Sequence, residues 1–347
     1  MKRKFITLFA VAVAFIGFSG LVSAQKRITR NVKPAEPIIT LANSLPASDA
    51  VITVNMKRMI DVAIPQILTS KPEEFAKMNT KIDEIRAKTG IDVRLFEKVA
   101  VGLSIKQIDK KTNVEPLVLA QGKFSSNALI ALAKVAAKGK YREEKVGEKT
   151  IYIFDAKEVI QENAPKAKAS MIDKLLAMFS NEMAITSFDD NTLTLGSLSR
   201  VKEMLEGNSK VDATVLALVN KKANAIASFA ASTPSGMSQI IDLDNDELGN
   251  ILGSIRTLNG SIDMGDGLAT LAISAKTVDP DQAAAMEDTL VGLQMVGKSL
   301  LGGMKGDKKQ ILGKMIDKVE IKRNINIVNL GLQIPQSEID VLIGAVM

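Results

Sequence analysis

The sequence predicts an α+β protein of two related halves, each a mostly antiparallel sheet with helices packed on one face. Three observations predict it. Short turns, among them Gly147-Glu148, Asp189-Asp190-Asn191 and Gly265-Asp266-Gly267, join apolar runs that read as strands. Apolar stripes at helical spacing separate those hairpins. The order strand, helices, two strands, helix, further strands, helix occurs twice along the 347 residues.

Taken in order, Lys2-Arg3-Lys4 precedes an apolar stretch from Phe5 to Val22, which ends in Val22-Ser23-Ala24. A basic head, an apolar middle and a small-residue exit make a secretory signal over residues 1–24, cut between Ala24 and Gln25. Residues 25–44 read as a linker with Pro34, Pro37 and scattered basic residues. The first half spans 45–207. It opens with a strand, Val51–Asn55, and a helical stretch, Met56–Leu68, broken or kinked near Pro65. The next helix starts with Ser70 as cap and Pro72 in its first turn. It presents Phe75, Met78, Ile82 and Ile85 on one face and ends at Gly90. Strands at Val99–Ile105 and Leu117–Phe124, a helix after Ser125/Ser126 and two hairpins follow. A short helix is expected at Met171–Phe179. Ser199–Glu206 closes the half at Gly207.

A connector, 208–223, leads to the second half, 224–347. Ala225–Ala231 is its first strand, and helical segments follow at Ser235–Ile241 and Asp246–Ile255. Leu258–Met264 and Leu268–Thr277 form a hairpin. Asp279 caps a long helix with Pro280 at its first position. Val319–Asn324 and Ile325–Gln333 are strands, and Pro335–Val346 is the last helix. Two junctions match between the halves. Gly122-Lys123-Phe124 running into Ser125 resembles Ser274–Thr277 running into Asp279. Thr192–Ser197 running into a helix resembles Ile327–Ile334 running into one. An extra hairpin and a polar loop distinguish the first half.

Composition narrows the function. There is no His, no Cys and no Trp, and there are two Tyr. A Ser-His-Asp triad, a Cys nucleophile, a disulfide framework and His- or Cys-ligated metal centres are excluded. No cofactor is expected. Removal of residues 1–24 lowers the net charge from +6 to +3. With no basic cluster interleaved with aromatics, nucleic acid is not an expected partner. No segment after the signal is long and apolar enough to span a bilayer as a helix.

Leu45-Pro46-Ala47-Ser48-Asp49-Ala50, then a strand and helices ending at Gly90-Ile91-Asp92, resembles the opening of a family of bacterial exported proteins of unknown function. Those begin with a leucine-proline-x-x-aspartate-alanine strand and carry a glycine-isoleucine-aspartate turn. The likeness covers about the first third of the chain after the signal. It implies a bacterial envelope or secreted protein and carries over no catalytic residues.

Other motifs have simpler accounts. Asp242, Asp244 and Asp246 alternate as in a calcium loop, but Glu247 and Gly253 stand where the loop needs Gly and Glu. Ser199-Arg200-Val201-Lys202, Ser125-Ser126-Asn127 and Lys88-Thr89-Gly90 resemble serine–lysine elements of penicillin-binding enzymes in the wrong chain order. The serines suit helix caps. Gly302-Gly303-Met304-Lys305-Gly306 lacks phosphate-loop spacing. Three readings stay open. One is a non-catalytic binding or scaffolding protein of the envelope, periplasmic or extracellular, with another envelope protein as partner. The second is a carrier of an apolar small molecule held between sheet and mobile helices. The third is a hydrolase using Asp/Glu or Ser/Lys.

Overall fold

The computed structural model describes residues 40–108, 111–155, 182–232, 253–302 and 307–346. The Ala24/Gln25 junction lies outside them. So do the segments Met171–Phe179 and Ser235–Ile241, most of Asp246–Ile255, and the Asp242–Asp246 acids. The chain divides into two compact units. The first comprises Leu41–Lys57 and Ala76–Leu216, and the second includes Arg58–Phe75 and the chain from Ala217 onward.

The first unit holds β1 (Ala50–Asn55), β2 (Phe96–Ile108), β3 (Lys111–Gly122), β4 (Arg142–Val146), β5 (Lys149–Asp155), β6 (Glu182–Asp189) and β7 (Thr192–Ser197). Their spatial order is β1-β2-β3-β7-β6-β5-β4, and every pairing is antiparallel. Helix α1 comprises Met56–Arg58, Met59–Ala63 and Ile64–Ile67, and α2 is Pro72–Thr89; α3 (Ser126–Ala136) and α4 (Leu198–Glu206) complete the helices preceding the connector. Leu193 and Leu195 of β7 pack toward Ile130 of α3. The intervening Thr194 touches Met204 of α4 at 3.7 Å. Side chains alternate along a strand, so α3 and α4 cover opposite faces of this sheet. Accordingly Leu117, Leu119 and Ala120 of β3 are all buried, on both faces.

The second unit holds β8 (Ala227–Ser232), β9 (Ile255–Gly265), β10 (Leu268–Thr277), β11 (Glu320–Asn324) and β12 (Ile327–Pro335) in the order β8-β9-β10-β12-β11, again antiparallel. After α5 (Ala213–Val219), which straddles the division, come α6 (Pro280–Gly302), α7 (Asp307–Lys318) and α8 (Gln336–Val346). Here the helices share one face. Val328 packs with Met286 of α6, whereas Leu332 and Ile334, on the same side of β12, pack with Met315 of α7 and Ile339 of α8. The α+β class with antiparallel sheets therefore holds in both units, and α4 adds cover on the second face of the first.

Several local expectations change. Pro65 does not break α1. The turn before it, Met59–Ala63, is wound as π-helix. A wider turn gives the proline ring room and tolerates its missing N–H. Lys71, not Ser70, takes the capping position of α2, because Pro72 is its first residue and Phe75 N donates to the Lys71 carbonyl at 3.1 Å. Gly90 does end that region in the left-handed conformation, φ +75°. The connector contains α5. Asp212 Oδ1 accepts from Thr214 N at 2.8 Å, and the Asp212 carbonyl accepts from Leu216 N. Hydrogen bonds from the Thr214 side chain and backbone, with a lesser one from Val215 N, hold the Asp212 carboxyl below the usual range. Val215 and Val219, one turn apart, are buried. Helix α7 is a further element that periodicity did not announce.

Candidate ligand groove and charged clusters

The concave feature of interest lies where β2 begins and β3 hands over to α3. Helix α2 ends at Thr89, whose Oγ1 donates to the Ile85 carbonyl (2.7 Å) and accepts from Ile91 N (3.1 Å). Asp92 then caps a single 3-10 turn, Val93–Leu95, by accepting from Arg94 N at 3.0 Å. On the other side, Gly122 ends β3. A Cβ there would sit 2.0 Å from the Leu95 carbonyl oxygen, so only glycine permits this approach. Lys123 N donates to that same oxygen at 2.7 Å. Phe124 lays its ring against Phe96, with centroids 4.8 Å apart and planes tilted 47°. Ser125 caps α3 through Ala128 N at 3.4 Å.

Between these walls lies a groove of about 190 Å³. Ile91, Leu95, Phe96 and Phe124 line one side, and Ala128, Leu129 and Leu132 of α3 the other. Asp92 stands in its lining, and both of its carboxylate oxygens accept hydrogen bonds from Arg94, at 2.8 and 2.9 Å. Arg86 approaches Oδ2 at 3.5 Å, and Arg94 also bonds Asp83 at 2.7 Å. The Arg94 guanidinium, with Arg86 behind it, keeps the Asp92 carboxyl below its ordinary range. Two arginines and two aspartates leave this rim neutral. Its groups satisfy one another, so the groove offers shape and apolar surface rather than a free charge.

The remaining charged groups serve the fold. Arg200 is the largest fully buried side chain in the described residues. Its guanidinium donates to the Ala47 carbonyl at 2.6 Å, to Ser48 Oγ at 2.8 Å, and to the Glu203 carboxylate, which in turn accepts from Ser209. Asp49 Oδ2 accepts from Ile105 N at 2.7 Å. Leu45–Ala50, the segment that carries the family resemblance, is thus a strand start clamped by α4 and β2. Gly102 is required there, because a Cβ would meet Ser48 Oγ at 2.5 Å. Lys202 pairs with Glu144, holding that carboxyl below its usual range, and Arg142 pairs with Glu182 at 3.0 Å. Lys134 lies over Tyr152 and Tyr141, 4.4 and 5.0 Å from the ring centres, and bonds Glu143 at 3.0 Å.

The serine–lysine candidates do not converge. Ser125 is a cap, Ser126 is buried at the start of α3, and Lys202 is engaged by Glu144. Gly265-Asp266-Gly267 is a hairpin turn with Asp266 and Gly267 both at positive φ. Among the described residues no three carboxylates come together as a metal site would need. No helix among them is long and apolar enough to cross a membrane. Sequence reasoning missed the groove. Its lining comes from two separate stretches, 90–96 and 124–132, and the one signal for it in the sequence was the glycine-isoleucine-aspartate turn at its edge.

No family model matches the chain, and no curated protein does. Two solved structures of a protein designated TP0453 are similar in layout. Crystal form I has a TM-score of 0.42 and 8% identity, over 88% of this chain and 97% of that one. Crystal form III has a TM-score of 0.43 and 7% identity, over 89% of this chain and 99% of that one.

Proposed function

We propose that this is an exported bacterial protein, periplasmic or extracellular, that binds or scaffolds a partner in the envelope and does not catalyse a reaction. The observation that carries the reading is how the charged side chains are used. Arg200, Arg94, Arg142, Lys202 and Lys134 each face a carboxylate in a fold-holding pair. The concave surface between the Gly90–Phe96 segment and α3 is lined mostly by apolar groups. Export rests on the Lys2–Ala24 segment alone. The reading includes an internal duplication, supported by the shared strand order and by a repeated strand-to-helix junction. In the first half, Gly122 N donates to the carbonyl of Asn191 in the β6–β7 turn, and Lys123 N to that of Leu95. In the second, Thr277 N donates to the carbonyl of Asn326 in the β11–β12 turn, and Val278 N to that of Ser254.

Mass spectrometry of the native protein tests export; the mature chain is expected to start at Gln25, in the envelope or the medium. Cross-linking in intact cells is expected to yield one defined envelope partner. A hydrolytic activity that follows the protein through purification, and that disappears on replacing one carboxylate, would overturn the non-catalytic reading.

A further inference from the structure

We propose that the second unit binds a phosphate monoester on the face of its sheet that turns away from α6, through Arg256 and Lys276. The proposal rests on the reading of the protein as a binder and names the chemistry that one of its surfaces takes. Sidedness comes from the core. Ile255, Leu258 and Ala275 all pack in the core with Met286 of α6. The strand pairing slips by one residue here, with Ile255 opposite Thr277 and Thr257 opposite Lys276. Arg256 is the extra residue of a β-bulge, so Arg256, Thr257 and Lys276 share the face away from α6. Both cations are exposed, and neither forms an ion pair among the described residues. Asn259, Ser274 and Asn329 stand in register in the next row of this face, and Ser274 Oγ donates to Asn329 Oδ1 at 2.6 Å.

The first half shows that the fold does not need these charges. It carries the same bulge, with Phe96 opposite Gly122 and Lys98 opposite Gln121. Counted from the repeated bonds of Lys123 N to Leu95 and of Val278 N to Ser254, Glu97 corresponds to Arg256, Lys98 to Thr257 and Gln121 to Lys276. The first half is therefore neutral at the bulge, and Lys123 approaches Glu97 at 3.6 Å. The second half sets two positive charges on neighbouring strands, where like charges repel. A dianion between them removes that repulsion. A phosphate monoester brings about two negative charges and three acceptor oxygens. Those match an arginine fork, an ammonium and the Thr257 hydroxyl. Facing strand positions lie about 5 Å apart at Cβ, so both cations reach one phosphate. The group is common to soluble sugar and glycerol phosphates and to a phosphatidate headgroup.

The test is a titration of the full-length mature protein with glycerol phosphate at low salt, followed by amide and arginine side-chain NMR. Shifts are expected at Arg256, Thr257, Asn259 and Lys276, saturating in the millimolar range because exposed ion pairs each add little. Dimethyl phosphate, with a single charge, should bind several-fold more weakly, and glycerol should not bind. Arg256→Gln and Lys276→Gln should each weaken glycerol phosphate about threefold to fivefold. Arg256→Glu combined with Lys276→Gln installs the residues that the first half carries in its bulge. That double variant should lose the shifts while its urea midpoint stays the same or rises. Sedimentation with phosphatidate vesicles, absent in the double variant, would assign the group to a lipid headgroup. No sedimentation, beside clear glycerol phosphate shifts, would assign it to a soluble ligand. Equal affinity for dimethyl phosphate, shifts that persist in the double variant, or no shifts in the wild type would sink the proposal. Shifts that appear only after Asp242→Asn, Asp244→Asn and Asp246→Asn together would show that the chain's own acids occupy the place, and would overturn it too. The envelope cross-link is independent of these outcomes: loss of the phosphate site alone leaves the binder reading standing, and loss of both ends it.

Discussion

The two units solve one topological problem with different amounts of charge. Each sends three strands up and down, crosses by a helix, returns by a hairpin whose second strand pairs with the third, and ends in a helix. In each, an asparagine in the returning hairpin reaches the crossover. Asn191 Nδ2 donates to the Phe124 carbonyl at 2.9 Å, and Asn326 Nδ2 to the Thr277 carbonyl at 3.1 Å. The differences follow from chain length. Strand β7 has six residues before α4, whereas β12 has nine before α8. An odd difference reverses the facing of the exit, because side chains alternate with period two. Helix α4 accordingly lies on the face opposite α3, while α8 shares a face with α6. That placement brings Arg200 inside the first unit, where the second has no comparable buried cation among its described residues. An edge strand of each unit, β4 in the first and β11 in the second, is five residues long and carries charges, Arg142-Glu143-Glu144-Lys145 and Glu320 with Lys322-Arg323. Such edges discourage pairing with another chain.

The sharpest way to break this comparison is Arg200→Ala. The substitution removes a fully buried guanidinium together with its bonds to the Ala47 carbonyl, Ser48 Oγ and the partly exposed Glu203 carboxylate. Losing these charge-assisted bonds costs about 2–3 kcal/mol. Urea denaturation should show that loss, and amide exchange should show it first around Leu103 and Val201. An effect below 1 kcal/mol would mean that water replaces the guanidinium and the clamp is not structural.

The asparagine pair tests the equivalence itself. Asn191→Ala and Asn326→Ala each remove one bond to a backbone carbonyl, at a cost of about 1–2 kcal/mol. Similar losses are expected from both. A neutral Asn326→Ala beside a costly Asn191→Ala would show that the two junctions only look alike.

Much of this was legible in the sequence, and the reasons are local. Hairpins at Gly147, Asn191 and Gly267 are marked by residues that adopt tight turns, and the caps Ser125 and Asp279 sit at true helix starts. Helix α5 was legible too, because Asp212 followed by Val215 and Val219 is a cap with a one-turn stripe. The connector reading passed over it for the nearby Gly207-Asn208-Ser209. Helix α7 was masked by its glycine-rich approach and by a stripe of few apolar residues. The groove and the Arg200 clamp were not legible. Both join residues far apart in the chain, and an arginine between Ser199 and Val201 gives no sign that it will be buried.

The two returning hairpins differ at their tips. Each has a two-residue loop, Asp190-Asn191 in one and Ile325-Asn326 in the other. Ile325 has φ +54° and is 71% exposed, so a β-branched residue holds a left-handed turn with little packing in return. Ile325→Asn should stabilise the protein by about 1 kcal/mol, read as a raised urea midpoint with unchanged slope. A loss would show that the isoleucine packs after all.

Acid should act through the first junction, where Asp92 is paired with two arginines. Arg94 and Arg86 depress the Asp92 carboxyl. Its contribution is therefore complete above the unfolded value of about 4 and is lost as pH falls through the lower folded value. For an ion pair this near the surface the amount is at most about 1 kcal/mol. The wild type should lose more stability than Asp92→Asn between pH 5 and pH 2.5. Parallel curves would remove Asp92 from the account of acid sensitivity.

The smallest effect separates the two halves of α6. Its first half is core, because Ala283, Met286 and Leu290 pack on Ile255, Ala275 and Val328. Its second half leaves the sheet. Leu293, Met295, Val296 and Leu300 are each at least 50% exposed. This half leans on α7 instead, through Gln294 Nε2, which donates to the Ile316 and Val319 carbonyls at 2.7 and 2.9 Å, and through the Lys298–Asp317 pair. Two glycines report on the arrangement. A Cβ at Gly292 would meet nothing within 4 Å, whereas one at Gly297 would lie 3.0 Å from Ile316 Cδ1. Gly292→Ala should therefore gain about 0.5 kcal/mol by restricting the unfolded chain at no steric cost. Gly297→Ala should gain less or nothing, because Ile316 must shift first. Amide exchange should follow the same division, with residues 283–290 protected like the strand around Ile273 and residues 292–300 exchanging faster. Equal gains from both substitutions, with uniform protection along α6, would show that α7 does not clasp the helix and that its second half is as firmly held as its first.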